Sequence, residues 1–555
     1  MPVSAERTGA GDQPTRVVDY IVGYLARRGV RHLFGVDGAN IEDLYDAAHA
    51  CPDITAVVAK HEFSAAAMAD AYSRAGAIGV VAATSGGGAL NTIPGLGESF
   101  ASHVPVLALI GQAPTTTDGR GSFQDTSGVN GALAGEALFS AVSVFCRRVL
   151  TPADILTALP QAMSAAATRS GPAVLLLPKD IQQGMVDAFA GEARADDPRP
   201  VDDVGALAEL LRGVEGPITI IAGDQVVRDD ARAELETLRA VLQARVATVP
   251  DAKDAAGAET LGVTGVMGHP AVTAALAESA ACLLVGTRLP LMARGGLESA
   301  LESIPIASIG SGVPYVPATH VDSADLRTAL AALASAMTNG PGHPVADHVA
   351  SGELAPPVHD GSGVRYRDAM LALDTLLPAD TDIVVDAGNI GAAAIHWLPA
   401  RRDGRFLVAL GMGGMGYSFG AAIGMAFARG RRTVVIAGDG SFFMHGMEIH
   451  TALHYRLPIT FVLFDNHAHA MCVTREQLFY GDRYSYNRFG PSALGAGLAA
   501  MFPALPSLDV TDIGELDVAI KTALEFDGPS VVSVECSADE IPPFTAFLNQ
   551  PRENS

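Results

Sequence analysis

The chain has little from which to build a disulfide framework, a nucleic-acid surface or a membrane span. Its five cysteines, Cys51, Cys146, Cys282, Cys472 and Cys536, are scattered with no CxxC pair and no zinc spacing, so inert thiols in a reducing compartment are expected. Lysine is scarce, at four residues against 33 arginines, which we read as genome composition rather than function. Basic residues form no cluster, and the net charge of -24 argues against nucleic acid or an anionic membrane as a partner. No apolar stretch approaches the roughly 20 residues that cross a bilayer. The opening MPVSAERTGAGDQPTR is polar and offers no apolar core for a secretory signal, so a cytoplasmic protein is expected. An anionic cofactor on so acidic a chain has to be met by a cation and by backbone amides.

What is present is a large α/β enzyme in outline. At about 100 to 200 residues per domain, 555 residues predict three domains. Two breaks rich in Pro, Gly and charge, ARADDPRPVDD at 193–203 and the stretch 338–363, read as linkers. They delimit domains at 1–190, 200–337 and 364–555. The outer two end alike, with SGPAVLLLPKDIQ and DGPSVVSVECSADEIPP, which suggests related domains. The middle block alternates apolar runs (PITIIAGD, ARVATV, ACLLVGTR, PIASIG) with helical patterns. The predicted fold class is therefore α/β, with three doubly wound parallel sheets.

The most informative segment is GDGSFFMHGMEIHTALHYRLPITFVLFDN, Gly438 to Asn466. RRTVVIAGD reads as a strand, MHGMEIHTALHYR as a helix and PITFVLFDN as a second strand. A right-handed crossover makes the two strands parallel neighbours, which puts Asp439 and Asn466 at carboxyl ends, where open α/β sheets bind ligands. Magnesium takes one or two oxygens from side chains and the rest from water and substrate phosphates, so one carboxylate and one amide suffice. Gly438 and Gly440 let the backbone turn and approach a diphosphate.

This pattern resembles the thiamin diphosphate (ThDP) enzymes, in which GDG, two dozen residues and an Asn hold Mg²⁺. The resemblance implies metal ligation by Asp439, Asn466 and the carbonyl of Ala468. KHEFSAAAMADAYSR reads as a helix whose small residues pack closely, so that Glu62 is expected to be near buried. With GVVAATSGGGALN and HVPVLALIGQAP it is similar to the pyrimidine-binding domain of the acetohydroxyacid synthase and pyruvate decarboxylase superfamily. There the Glu of the HE pair activates the cofactor by sharing a proton with its aminopyrimidine ring, and the resemblance implies that role for Glu62. LVALGMGGMGYSFGAAIGMA looks like the segment that wedges an apolar side chain between the cofactor rings, here Met415, with Gly413 beside it. DIVVDAGNIGAAAIHW turns through Gly388 and Asn389, which match the diphosphate loop, and Ser441 follows the GDG. Ile390 stands where the family often has a polar contact. The middle domain lacks the GxGxxG and the charged run of relatives that carry FAD, so FAD is not expected.

The family's common step is decarboxylation of a 2-oxo acid, and residues around the site decide the fate of the acyl group. GSFQDT, with Gln124, and MCVTREQLFYGDRYS resemble acetohydroxyacid synthase segments and imply ligation of the acyl group to a second carbonyl compound. Paired histidines typical of pyruvate decarboxylases are absent from TTTDGRGSFQDTS, although His103 matches a position where decarboxylases often have His. His467 and His469 beside the metal motif are candidates for proton transfer, since imidazole carries protons near neutral pH. Asp37 and Asn40, in FGVDGAN, fall at the expected pocket mouth and point to an altered donor or acceptor. The family also implies a homodimer or homotetramer with sites at subunit interfaces. The alternatives are a simple 2-oxo acid decarboxylase that releases an aldehyde and a non-catalytic cofactor-binding subunit.

Overall fold

The computed structural model describes residues 14–187, 203–257, 260–338 and 352–548. Nearly all of the break expected at 193–203 lies outside them, as do residues 339–351 of the second break. The chain divides into two compact units, one of residues 1–69 and 78–199, the other of residues 70–77 and 200–555.

The first unit holds six parallel strands: β1 (His32–Val36), β2 (Thr55–Val58), β3 (Gly79–Ala83), β4 (Val106–Gln112), β5 (Phe145–Arg148) and β6 (Ala173–Pro178), in the order β2-β1-β3-β4-β6-β5. Helix α1 (Glu62–Arg74) precedes β3 and α2 (Gly87–Ala101) follows it. The second unit has two sheets. One comprises β7 (Ile218–Ala222), β8 (Arg245–Thr248), β9 (Ala281–Val285), β10 (Ile306–Gly310) and β11 (Thr319–Asp322), in the order β8-β7-β9-β10-β11. The other comprises β12 (Asp382–Val385), β13 (Phe406–Val408), β14 (Thr433–Gly438), β15 (Ile459–Asp465), β16 (Ser507–Val510) and β17 (Ser530–Glu535), in the order β13-β12-β14-β15-β17-β16. All pairings in these three sheets are parallel. Numbered within its own domain, the third sheet has the same strand order as the first. Continuous apolar runs such as ITFVLFD in β15 are buried along their whole length, as parallel strands covered on both faces require.

Four helices carry the third sheet's loops: α3 (Asn389–Trp397), α4 (Tyr417–Arg429), and α5 (Asp439–His445) with α6 (Ile449–His454) between β14 and β15. The helix expected over MHGMEIHTALHYR thus begins earlier, at Asp439, and is broken by a 3₁₀ turn at Gly446–Glu448. Helix α7 (Ala470–Tyr480) follows β15.

Buried charge joins the two sheets of the second unit. The Arg405 guanidinium, at the start of β13, bonds Asp254 at 2.5 Å and Asp224 at 3.1 Å. It also donates to the Arg74 carbonyl, and Arg74 pairs with Asp70 at 2.7 Å. Ions so buried cost much desolvation, so loss of one partner, which leaves the other charge uncompensated, is strongly destabilising.

Near the end of α3, the rings of His269 and His396 stack at 4.4 Å. His269 Nδ1 accepts from the Val263 amide at 3.0 Å and His396 Nε2 from that of Leu354 at 3.0 Å, arrangements that need neutral rings. Burial, then the neighbouring imidazole, lowers His269 to about 4, and burial lowers His396. Depressed bases take up protons first in the unfolded chain. Stability is therefore intact above pH ~6.5 and falls as the pH drops toward 4. Denaturant unfolding at pH 7, 5.5 and 4.5 should show that loss, and a His269→Asn variant, which keeps an acceptor for Val263, should show a shallower one.

Candidate active site

The loops at the carboxyl ends of β12, β14 and β15 build one site in the second unit. In register, Gly438 of β14 lies opposite Phe464 of β15, so Asp439 comes level with Asp465. Asp439 is wholly buried. Its Oδ2 accepts from the Ala468 amide at 3.1 Å, and that amide also donates to Asn466 Oδ1 at 3.1 Å. Asp439 Oδ1 has no hydrogen-bond partner. The three residues expected to hold a metal are thus brought together. Ala468 pairs with Arg488, but the bonds of that bridge run from His469 N to Asn487 O and from Phe489 N to His467 O, leaving the Ala468 carbonyl outside it.

Burial, reinforced by the nearby Asp465 charge, pushes Asp439 up to about 7, and burial raises Asp465 as well. Two carboxylates facing each other out of water favour a bound cation, which would relieve both.

Asp386, just beyond β12 and 1% exposed, ties the surrounding loops together. Its Oδ1 accepts from the Ala387 amide at 2.9 Å, the Gly416 amide at 3.0 Å and Ser441 Oγ at 2.6 Å, and its Oδ2 accepts from the Ser418 amide at 2.9 Å. One carboxylate therefore fixes the start of α4, the turn carrying Met415, and the start of α5. Sequence reasoning marked Asp386 only as a strand end; a lone carboxylate at the carboxyl end of an apolar strand was the available signal.

Gly388 precedes α3 with φ 122°, a backbone conformation that a side chain would strain, and nothing lies within 4 Å of where its Cβ would be. It leaves an open cradle at a helix N-terminus, the setting in which a diphosphate is bound by backbone amides. Asn389 is buried, its amide nitrogen donating to Thr474 Oγ1 at 3.0 Å. Gly413 is exposed with φ 64°. Gly438, Gly440, Ser441, Met415, Ile390 and His469 share this cavity. Gly440 is flanked by His469 and Met415: a Cβ there would stand 2.6 Å from His469 Nδ1 and 3.3 Å from Met415 Cε. Open amide space, an orphaned buried carboxylate oxygen and a Met beside the glycine turn together fit a cation-bound diphosphate cofactor.

The two histidines separate. The His469 ring packs edge-on against Phe489 at 4.7 Å, and its buried Nδ1 has no partner. His467 turns away from Gly440, with Nδ1 3.0 Å from Asp465 Oδ1 and Nε2 3.1 Å from Glu535 Oε1. Ser492 Oγ donates to Asp465 Oδ2 at 3.0 Å, a support that the sequence did not reveal.

In the first unit, Glu62 opens α1 and is partly exposed rather than near buried, although Phe63, Ser64 and Ala65 of the same turn are buried; as the first residue of the helix it lies beside the glycine loop instead of under it. Asn91 Nδ2 donates to Glu62 Oε2 at 3.0 Å, and a Cβ on Gly88 would stand 3.0 Å from Glu62 Oε1. The same glycine loop meets Gln124 on its other side through Ser85 Oγ, which donates to Gln124 Oε1 at 3.0 Å and accepts from Asn40 Nδ2 at 2.6 Å. Asp37 is exposed, accepting from the Gly38 amide at 2.7 Å. His103 is not brought to this group. It follows the far end of the 15-residue helix α2, about 20 Å along the axis from the glycine loop.

Comparison with known proteins agrees with this geometry. The chain matches family models described as the thiamine pyrophosphate enzyme N-terminal TPP binding domain over residues 15–130, the central domain over 204–310 and the C-terminal TPP binding domain over 386–534. It is 27% identical over 537 residues to the acetolactate synthase isozyme 2 large subunit of Escherichia coli, covering 94% of this chain and 95% of that protein. To the chloroplastic acetolactate synthase of Arabidopsis thaliana it is 26% identical over 565 residues, covering 96% and 83%. An X-ray structure described as that of a thiamin diphosphate-dependent enzyme from Mycobacterium smegmatis superposes with a TM-score of 0.79 at 22% identity, over 95% of this chain and all of that one, a likeness of fold.

Replacing Asp386 with Ala strands two amides and a hydroxyl in the interior. The expected loss is about 3 kcal/mol or more of unfolding free energy, together with weakened anion binding in the Gly388 cradle. Urea unfolding and a pyrophosphate titration of the purified protein check both.

Proposed function

The chain belongs to the thiamin pyrophosphate enzyme family, and from that premise we propose that it is a Mg²⁺-dependent decarboxylating carboligase, acting on a pyruvate-like 2-oxo acid and joining the acyl residue to a second carbonyl compound as an acetolactate synthase does. The observation that carries this reading is the pairing of an intact cradle around Gly388, Asp439 and Asn466 with an available carboxylate at Glu62. Relatives named acetolactate synthase align over nearly the whole chain, which supports the ligating branch. Thiamin diphosphate, when bound, supplies a thiazolium carbon that serves as nucleophile and electron sink.

The chain's own groups have separate tasks. Asp439, Asn466 and the Ala468 carbonyl would hold Mg²⁺, and amides at the start of α3 would meet the diphosphate. Met415, packed beside Gly440, would impose the bend between the cofactor rings. Glu62 would hold a proton at the aminopyrimidine ring nitrogen, and its partial exposure in one chain leaves it open to the cradle of a second copy. The active unit in this reading is a cytoplasmic homodimer or homotetramer with composite sites. Gln124 and Asn40 would border the substrate space; neither His103 nor FAD has a part in it.

A second reading, simple decarboxylation with release of an aldehyde, draws on His469, whose buried Nδ1 beside Met415 could deliver a proton and end the reaction before ligation. A non-catalytic subunit would have no need of an acid at Glu62.

Mass-spectrometric product analysis with ThDP, Mg²⁺ and pyruvate, alone and with a panel of aldehydes and 2-oxo acids, should yield a ligated product that disappears without Mg²⁺. Free acetaldehyde alone would install the second reading. Glu62→Gln should reduce turnover by about 10²- to 10⁴-fold while cofactor binding persists. Mixing inactive Glu62→Gln and Asp439→Asn proteins should restore part of the activity through hybrid sites; no recovery would argue against composite sites.

A further inference from the structure

A short hydrogen-bond chain in the first unit has no part in holding a cofactor. Asn40 lies in the loop after β1 and Ser85 in the loop after β3, and both are buried. Asn40 Nδ2 donates to Ser85 Oγ at 2.6 Å, and Ser85 Oγ gives its proton to Gln124 Oε1 at 3.0 Å. Direction follows from donor count. An amide nitrogen only donates and a hydroxyl has one proton, so Asn40 obliges Ser85 to donate onward and Gln124 to accept. The Gln124 amide is thereby turned with Nε2 outward, and that nitrogen donates to no protein atom among the described residues. Both ends of the chain are held. The Asn40 amide donates to Thr84 Oγ1 at 3.2 Å and its carbonyl accepts from Gln182 Nε2 at 2.8 Å. Gln124 stands in the left-handed region at φ 60°, which a residue other than glycine keeps only where its neighbours impose it. Here Asp125 accepts from the Gly119 and Ser127 amides, both at 2.9 Å, and Gln112 Nε2 donates to the Thr126 carbonyl at 3.2 Å. The Gln124 side chain lies against Gly86, where a Cβ would stand 2.6 Å from its Cγ, in the same glycine loop that meets Glu62 at Gly88.

We propose that Asn40 and Ser85 are positioning residues that set the polarity of Gln124, so that its outward N–H groups select a second substrate bearing a carboxylate, a 2-oxo acid rather than an aldehyde. This selection rests on the ligating reading above, to which it adds the residues that make the choice. A hydrogen bond from an amide N–H to a carboxylate is charge-assisted, whereas an aldehyde brings only the oxygen of its reacting carbonyl. The polarity can be reversed by one atom. Asn40→Asp exchanges a nitrogen for an oxygen with almost no change of shape. A carboxylate at that position takes the Ser85 proton, and Ser85 then faces Gln124 with lone pairs only. The Gln124 amide has to turn, donating inward and presenting Oε1 to the substrate.

Carboligation by the full-length protein with ThDP, Mg²⁺ and pyruvate tests it, with 2-oxobutanoate and propanal offered as acceptors of matched alkyl chain. Wild-type protein should favour the 2-oxo acid. Asn40→Asp should raise KM for 2-oxobutanoate roughly 10- to 100-fold with kcat held within about twofold, and should leave ligation to propanal within about twofold. Asn40→Ala, in which Ser85 remains free to donate to Gln124, should lose less of the preference than Asn40→Asp. Should Asn40→Asp not fold, Ser85→Ala decides: it frees the amide to take either orientation, and its loss should be confined to the 2-oxo acid. A merely structural role would lower both acceptors together along with the urea midpoint, so a parallel fall overturns the proposal. Wild-type kinetics in Asn40→Asp, or wild-type protein that ligates the two acceptors alike, overturns it as well and leaves the ligating reading standing. Wild-type protein that forms no ligated product with either acceptor overturns both.

Discussion

Everything at the cofactor end of the third sheet depends on one buried carboxylate. Asp386 receives four donors from three separate chain segments. A carboxylate removed from water has to be satisfied by its surroundings, and here the surroundings are the start of α4 and the first turn of α5. Desolvation thus does the positioning. The position of Met415 and the direction in which Asp439 leaves β14 are both consequences of where that charge is held.

The same logic runs through the second unit. Arg405 is held between Asp254 and Asp224, Asp439 faces Asp465, and Glu540, raised to about 7 by burial, accepts from the Tyr366 amide. An acidic protein with few lysines places its buried acids against arginines or backbone amides where the role is structural. Among the described residues, Asp439 has no arginine beside it: its Oδ2 accepts from the Ala468 amide, and its other oxygen faces the carboxylate of Asp465.

Much of this was legible in the chain. Apolar runs closed by Gly-Asp-Gly or Asp-Asn marked β14 and β15, and their parallel register comes from crossover geometry, so the convergence of Asp439, Asn466 and Ala468 could be foreseen. What was not legible depends on direction rather than spacing. His467 and His469 are two residues apart and indistinguishable by type, yet one faces Asp465 and Glu535 and the other Gly440. His103 precedes an apolar strand as an active-site residue could, and only the length of α2 removes it. Glu62 lies in an alanine-rich helix whose very next residues are buried, and only its place at the helix start leaves it partly exposed, a difference of one position that composition does not carry. The Asp386 network joins residues up to 55 apart, and no local pattern encodes such pairings.

The two outer sheets share a strand order, and the likeness reaches their loops. After its first strand each has nearly the same five letters, Val36-Asp-Gly-Ala-Asn40 in one and Val385-Asp-Ala-Gly-Asn389 in the other, and after its third strand each has a glycine-bearing turn. Asp37 and Asp386 each accept from the amide next in the chain, but Asp37 is exposed and Asp386 is sealed inside. Such correspondence is the mark of a duplicated module whose copies have since diverged in trade. One holds its acid as an internal strut, while the other leaves the equivalent acid at the surface with a single amide bond. A change of residue at Asp37 therefore strands almost nothing, whereas the same change at Asp386 unseats three stretches of chain at once.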